Sequence, residues 1–120
     1  METTKEDIQR ILLECGIYPN KYGFTYLTDA VMIALETPCG VCELYEKVGK
    51  LHNVKAANVE RCVRVCLADI LNSGSILRLN DLFGMKIVDE NTYLSNGDFI
   101  GIITVCLGMS RGKGWREGEI

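Results

Sequence analysis

The sequence predicts an all-α fold, a compact bundle of about six helices in which helices three and four form a helix-turn-helix. Apolar residues recur at every third or fourth position along most of the chain, which is the period of a helix that buries one face. Glycine or proline follows most of these segments and ends them. Only "KIVDENTYL" has β-propensity, and no second segment of similar strength is available to pair with it.

The first two helices are predicted by their apolar spacing and by the residues that stop them. Helix one ends at Gly16, a residue type that readily takes the left-handed conformation found after helix C-termini. Helix two runs from Gly23 to about Glu36, because Pro38 blocks further helix. Their apolar positions are Ile8, Ile11, Leu12 and Cys15 in helix one, and Phe24, Leu27, Val31, Ala34 and Leu35 in helix two.

Helices three and four lie on either side of the short turn "HNVKA". Helix three is predicted from about Gly40 to Leu51, and helix four is the longest periodic segment of the chain and ends at Gly74. Their inward-facing residues are Val41, Leu44, Tyr45 and Val48, followed by Val59, Cys62, Val63, Cys66, Leu67, Ile70 and Leu71.

Two shorter signals predict the last helices. Ser75 is predicted to cap a short helix five that stops at Gly84. Ser95 or Asn96 caps helix six, and Asp98 stands where it can complete a capping box with Ser95. The residues of helix six that face inward are Phe99, Ile102, Ile103 and Cys106.

Length and composition favour one globular domain, since the chain has 120 residues, 48% of them hydrophobic and 24% charged. We predict a helical domain over residues 1–107. From Gly108 the segment "GMSRGKGWREGEI" carries four glycines and no apolar period, so residues 108–120 are predicted to be a flexible tail.

Charge and cysteine content limit the location and the partners. The charged N-terminus "METTKEDIQR" is unlike a secretory signal, and the absence of a long apolar segment argues against a membrane partner. Six cysteines without an export signal favour the reducing cytoplasm. The formal net charge of -3 disfavours non-specific binding to a polyanion, so a nucleic-acid site has to be a local patch.

The polar side of helix four has two interpretations. Glu60, Arg61 and Arg64 share one outward stripe with Ala68. The plainer interpretation is a solvated surface, because an exposed pair of opposite charges four residues apart contributes only about 0.3–0.5 kcal/mol. The other is base recognition, since the second helix of a helix-turn-helix enters the major groove. Arginine can bond guanine there, glutamate can accept from cytosine, and asparagine can pair with adenine.

Four stretches together resemble a known family in their order and spacing: "YGFTYLTDAVMIAL", "NVKAANVERCVRVCLADILNSGSI", "NDLFG" and "SNGDFIGIITVCL". They resemble the C-terminal, DNA-binding effector domain of the stage-zero sporulation protein A, over Ile8 to Leu107. The resemblance implies a six-helix domain that binds double-stranded DNA and regulates the transcription that initiates sporulation. It matches Val59, Glu60, Arg61 and Arg64 to the family's recognition helix. We predict base contacts by Glu60, Arg61 and Arg64, and DNA backbone or supporting contacts by Lys47, His52, Lys55 and Asn58.

The sequence departs from the family pattern in ways that keep an alternative open. Asn58 and Val65 stand where an arginine and a histidine are expected, the loop "ETPCGVC" is a few residues shorter, and a phosphoacceptor receiver domain is absent if the chain is complete. DNA binding is then constitutive or controlled elsewhere. The alternative is a protein-interaction module, or an antagonist of a related regulator, that has lost DNA binding.

The electrostatic footprint predicts how DNA would be bound. From Val41 to Asn72 the chain carries five basic and four acidic residues, a net charge of +1, which is small for a DNA-binding segment. We therefore predict weak monomeric affinity and a need for paired sites, a homodimer, or a partner such as a related regulator or the transcription machinery.

The remaining patterns predict no enzyme, no cofactor and no metal. "CGVC" lacks the βαβ context of a thioredoxin-like redox pair. A zinc site is the alternative, but Cys62 and Cys66 fit the apolar side of helix four without a metal. Asp29 is interpreted as an ordinary surface charge. The candidate zinc ligands are Cys39, Cys42, Cys62 and Cys66.

Overall fold

The computed structural model describes residues 4–113, with side chains as far as Met109. Within this range it contains helices and no strand, so the predicted all-α fold is confirmed. The helices are α1 (Lys5–Glu14), α2 (Tyr22–Glu36), α3 (Val41–His52), α4 (Ala56–Ser73), a 3-10 helix (Ser75–Leu77), α5 (Arg78–Phe83) and α6 (Asn96–Lys113).

The central helix is α2, which packs against α1, α3, α4 and α6. Its Leu27 and Val31 side chains are completely buried, and burying a side chain of this size stabilises a fold by about 1.5–3 kcal/mol. Thr28 is also buried, and its hydroxyl is satisfied there because it donates a hydrogen bond of 2.8 Å to the Phe24 carbonyl. Gly23 lets α2 approach α4 closely: a Cβ there would lie 2.7 Å from the carbonyl oxygen of Cys62. The packing of α2 thus fixes where α4 lies.

The helix ends follow the predicted pattern at three glycines and differ from it at a serine. Gly16, Gly74 and Gly84 have φ values of 97°, 83° and 67°, the left-handed conformation, and they follow α1, α4 and α5 as predicted. The predicted cap at Ser75 is wrong, because the chain turns directly from Gly74 into the 3-10 helix, and Leu77 donates its N–H to the Gly74 carbonyl. The 3-10 helix continues into α5 without an extended residue that could serve as a side-chain cap.

The loop between α5 and α6 is held by the side chain of Asn80. Its amide donates to the Val88 carbonyl at 2.8 Å and accepts from the N–H groups of Ile87 and Val88 at 2.7 and 3.0 Å. These bonds satisfy backbone groups that have no strand partner. The loop therefore has a defined course, and it delivers the chain to the start of α6.

The N-terminus of α6 carries the predicted capping box. Asp98 donates its N–H to Ser95 Oγ, and Ser95 donates its N–H to Asp98 Oδ2, both at 3.1 Å. The helix runs on to Lys113, so the prediction that helical structure stops at Leu107 is wrong by six residues. Each residue added to an existing helix gains one hydrogen bond, so a helix can continue through a glycine such as Gly108, which destabilises it by only about 1 kcal/mol. The rest of the predicted tail, residues 114–120, lies outside the described residues. No described helix is long and apolar enough to cross a membrane.

Candidate nucleic-acid interface

The helix pair α3 and α4 is joined by a tight three-residue turn. Asn53 takes the left-handed conformation, with φ 57° and ψ 45°, and Val54 donates its N–H to the Gly49 carbonyl at 2.9 Å. Only glycine fits at position 49, because a Cβ there would lie 2.6 Å from the Val54 carbonyl oxygen. Two short-range contacts therefore fix the angle at which α4 leaves α3.

The first half of α4 presents its charged residues on one side. Val59 and Val63 are buried, whereas Arg61, Arg64 and Ala68 are exposed and Glu60 is partly exposed, so the predicted division of the helix faces is confirmed. Cys62 and Leu71, also predicted to face inward, are only partly buried. We call the outward residues Asn58, Glu60, Arg61 and Arg64 the recognition surface.

Each arginine of the recognition surface is held by an acceptor on the preceding helical turn. Arg64 Nε donates to Glu60 Oε2 at 3.0 Å, which is the surface pair expected from their spacing. Arg61 Nη2 donates to Asn58 Oδ1 at 2.9 Å. A guanidinium has five N–H groups, so these bonds orient the side chains and use only part of their donor capacity. The arrangement can present donors and one carboxylate to an external partner.

The two predicted lysines lie near the recognition surface on different elements. Lys55 is the exposed residue at the N-terminus of α4, and Lys47 on α3 pairs with Glu43 at 3.2 Å. Both side chains reach solvent, as a contact to a phosphate group requires. Their role as backbone contacts stays a prediction.

His52 is turned toward α2. Its Nε2 lies 2.6 Å from Asp29 Oδ2, and its ring centroid lies 5.2 Å from that of Tyr26. Asp29 is 15% exposed and also lies 3.9 Å from Lys5 Nζ, so its interpretation as an ordinary surface charge is wrong: the tertiary fold covers it. The observed contacts of His52 are therefore with α2, and its supporting role toward DNA stays a prediction.

Asn96 belongs to the site, although the sequence pattern predicts for it only a capping role at the start of α6. Its Nδ2 donates to the hydroxyl of Tyr45 at 3.0 Å and to the backbone carbonyl of Glu60 at 3.3 Å. The partners lie 51 and 36 residues away, so no local sequence pattern indicates them. Burial raises the pKa of Tyr45, and the nearby Glu60 carboxylate acts in the same direction, whereas the Asn96 hydrogen bond lowers it.

The cysteines do not form a metal cluster in the described part of the chain. No group of three or more histidine, cysteine, aspartate or glutamate side chains stands there in a metal-binding arrangement. Cys66 is buried, and burial raises the pKa of its thiol. Burial also raises the pKa of Cys15, to about 12. Metal ligands and reactive cysteines act as thiolates, and burial disfavours that form at these two positions.

A comparison with protein families identifies the chain. The family model described as "Sporulation initiation factor Spo0A C terminal" matches residues 8–107. The chain belongs to this family. The match covers most of the 120 residues and has the limits predicted from the sequence, Ile8 and Leu107. The Spo0A C-terminal family comprises DNA-binding effector domains of sporulation transcription regulators and is not an enzyme family. The helix pair α3 and α4, with the recognition surface on α4, lies entirely within the matched region.

Proposed function

We propose that this Spo0A C-terminal domain is a cytoplasmic, sequence-specific DNA-binding regulator that inserts α4 into the major groove. The observation that carries the proposal is the recognition surface: Glu60, Arg61 and Arg64 all lie outward on the first half of the second helix of the pair. The opposite side of that half is anchored in the core through Val59 and Val63. A rigid backbone is needed because base recognition depends on directional hydrogen bonds.

The roles follow from residue chemistry. Arg61 and Arg64 bond guanine O6 and N7, and Glu60 accepts from cytosine N4. Lys55 and Lys47 contact phosphates, while Asn58 supports Arg61 through the hydrogen bond that joins them. His52 supports the surface indirectly, through its contact with α2.

Replacing the internal partners of the arginines by DNA groups costs little free energy. The Glu60–Arg64 pair is solvent-exposed, with 36% and 60% of the two side chains accessible, and such pairs contribute only about 0.3–0.5 kcal/mol. DNA groups can therefore replace these internal bonds. Before binding, the same bonds restrict the side-chain rotamers, which reduces the entropy lost in the complex.

The expected affinity of one domain is low. The segment Val41 to Asn72 has a net charge of +1, from five basic and four acidic residues, and phosphate neutralisation supplies much of the affinity of DNA-binding proteins. We propose that the domain acts on paired sites, as a homodimer or together with a related regulator or the transcription machinery.

The test begins with selection of binding sequences from a pool of random duplexes, followed by titration of the selected duplex and a scrambled duplex. Arg61→Ala is expected to lower the discrimination between them by roughly 1–3 kcal/mol. The matched control is Arg78→Ala, because Arg78 is similarly exposed and also pairs with a glutamate. It should leave the discrimination unchanged. If no sequence is enriched and the wild type binds scrambled DNA equally well, the proposal fails.

Val65 supports the alternative of a protein-interaction module. This side chain is 47% exposed on α4, where the family resemblance led us to expect a histidine. An exposed valine can contact an apolar surface but cannot bond a phosphate. If selection enriches no sequence, we expect the domain to bind a related regulator instead, and Val65→Ser should weaken that complex.

A further inference from the structure

The amide of Asn96 connects three helices. Asn96 is the first residue of α6 and only 9% exposed, and its Nδ2 donates to Tyr45 on α3 and to the Glu60 carbonyl on α4. A backbone carbonyl can only accept, so the orientation of the amide is fixed by this contact. Both N–H groups of the amide are thereby used inside the fold.

The bond to Glu60 acts on the backbone of α4. A helix moves as a rigid body over one or two turns, so a bond to a main-chain oxygen restrains its rotation and its axial position. The restrained residue is the one whose carboxylate bonds Arg64 Nε on the outside. The recognition surface is therefore held at Glu60 from the side where Asn96 and Tyr45 border the same pocket as Glu60 and Arg64.

The support for Asn96 is itself rigid. The Ser95–Asp98 capping box fixes the backbone at the start of α6. A Cβ at Gly97 would be within 3.6 Å of Val41, so the start of α6 lies directly against the start of α3. Asn96 thus stands on a fixed base that contacts the other helix of the helix-turn-helix.

We infer that Asn96 is a positioning residue for sequence recognition: through Tyr45 and the Glu60 carbonyl it sets the rotation of α4 in the major groove. This inference rests on the proposed function. A small rotation of α4 weakens directional base contacts, whereas phosphate attraction falls off slowly with distance. Loss of Asn96 should therefore reduce specificity and leave non-specific binding unchanged.

Asn80 provides a matched control. It is a partly buried asparagine whose amide, like that of Asn96, bonds the backbone, but its partners are Ile87 and Val88 in the loop before α6. Replacing it removes a comparable set of hydrogen bonds without touching α4. A role in stability alone predicts the same DNA behaviour for the Asn80 and Asn96 variants.

The experiment titrates the selected and scrambled duplexes with wild type, Asn96→Ala, Tyr45→Phe and Asn80→Ala, below the melting temperature of each. The preference for the selected duplex is expected to fall about tenfold in Asn96→Ala and about threefold in Tyr45→Phe. It should be unchanged in Asn80→Ala. The affinity for scrambled DNA and the slope of affinity against salt should remain those of the wild type in every variant.

The outcomes separate the inference from the proposed function. A wild type without preference overturns the proposed function. If the wild type discriminates and Asn96→Ala discriminates equally well, the inference on Asn96 is overturned and the proposed function stands. The same holds if Asn80→Ala loses as much preference as Asn96→Ala. Should Asn96→Ala fail to fold, Tyr45→Phe decides, because it removes one oxygen and leaves the bond to Glu60 possible; unchanged preference in that variant then counts against the inference.

Discussion

Two exposed arginine clusters of this domain look alike in their charge pairing and differ in what supports them. On α4, Arg64 is 60% exposed and pairs with Glu60 at 3.0 Å; at the other cluster, Arg78 is 62% exposed and pairs with Glu14 at 3.5 Å. Arg61 and Arg10 are the second exposed arginine of each cluster. Exposure and a glutamate partner therefore do not distinguish a recognition surface from an ordinary charged one.

The difference lies in the backbone beneath the side chains. Arg61 and Arg64 come from one 18-residue helix, three positions apart, with buried valines on its opposite side. Arg10 and Arg78 come from separate helices, α1 and the six-residue α5, and border a pocket of about 360 Å³. Only the α4 cluster stands on a single helix that can enter a groove about 12 Å wide.

The largest effect is expected when the arginines of each cluster are removed in turn. The double variant Arg61→Ala and Arg64→Ala is expected to lose about 2–6 kcal/mol of discrimination, since each base contact contributes roughly 1–3 kcal/mol. The double variant Arg10→Ala and Arg78→Ala removes the same charge elsewhere and should change discrimination by less than about 0.5 kcal/mol. Anisotropy titrations on selected and scrambled duplexes measure both. Equal losses would mean that net charge, and not position, determines binding.

A substitution in the turn between α3 and α4 disturbs the backbone that supports α4 and leaves both arginines in place. Gly49→Ala should lower the free energy of unfolding by about 1–3 kcal/mol, because its Cβ collides with the Val54 carbonyl and the turn has to open. Specific DNA binding should weaken with it, since α4 leaves the turn at another angle. Gly101→Ala is the control: nothing lies within 4 Å of its Cβ, so it should be neutral or stabilising by up to about 1 kcal/mol. Urea denaturation of the two variants compares them, and equal stabilities would contradict the role of Gly49.

A smaller effect is expected at the left-handed residue of the same turn. Asn53→Ala should cost about 1 kcal/mol of stability, because a Cβ disfavours this conformation and asparagine tolerates it better. Asn53→Gly should be within about 0.5 kcal/mol of wild type, because glycine has no such penalty. The free energies of unfolding from denaturant titrations distinguish them. Finding Ala as stable as Gly would show that the turn does not need φ near 57°.

Local patterns predict most of this fold. The periodic runs around Leu12, Val31, Val48 and Val63 identify α1 to α4, because burial of one face imposes the spacing. Gly16 and Gly74 mark helix ends because few other residues take the left-handed conformation. The short helix before Gly84 is predicted, but the 3-10 form of Ser75–Leu77 is not, because three residues are too few to show a period.

Of the candidate site, only the exposed residues of α4 could be predicted from the sequence. Glu60, Arg61 and Arg64 follow from helical spacing, since residues three and four apart share a face. Asn96, Tyr45 and the Asp29–His52 pair depend on contacts between distant segments, which one sequence does not encode locally. An isolated asparagine at a helix start looks the same whether it caps the helix or bonds a neighbouring one.

Substituting the glutamate of each cluster hardly affects stability, so it compares the two clusters by their DNA binding alone. Glu60→Gln and Glu14→Gln each remove the negative charge beside an arginine in a solvent-accessible pair, so each should change the free energy of unfolding by less than about 0.5 kcal/mol. The two variants should differ in the DNA sequences that they prefer. Glu60→Gln replaces an acceptor suited to cytosine with an amide suited to adenine, and it removes a negative charge from beside the phosphates.

We therefore expect selection with Glu60→Gln to enrich adenine at the position that the wild type contacts through Glu60, and to raise the affinity for scrambled DNA. Selection with Glu14→Gln should enrich the wild-type sequence. An unchanged preference in Glu60→Gln would limit the role of Glu60 to orienting Arg64, because the neutral amide can still accept the hydrogen bond from Nε.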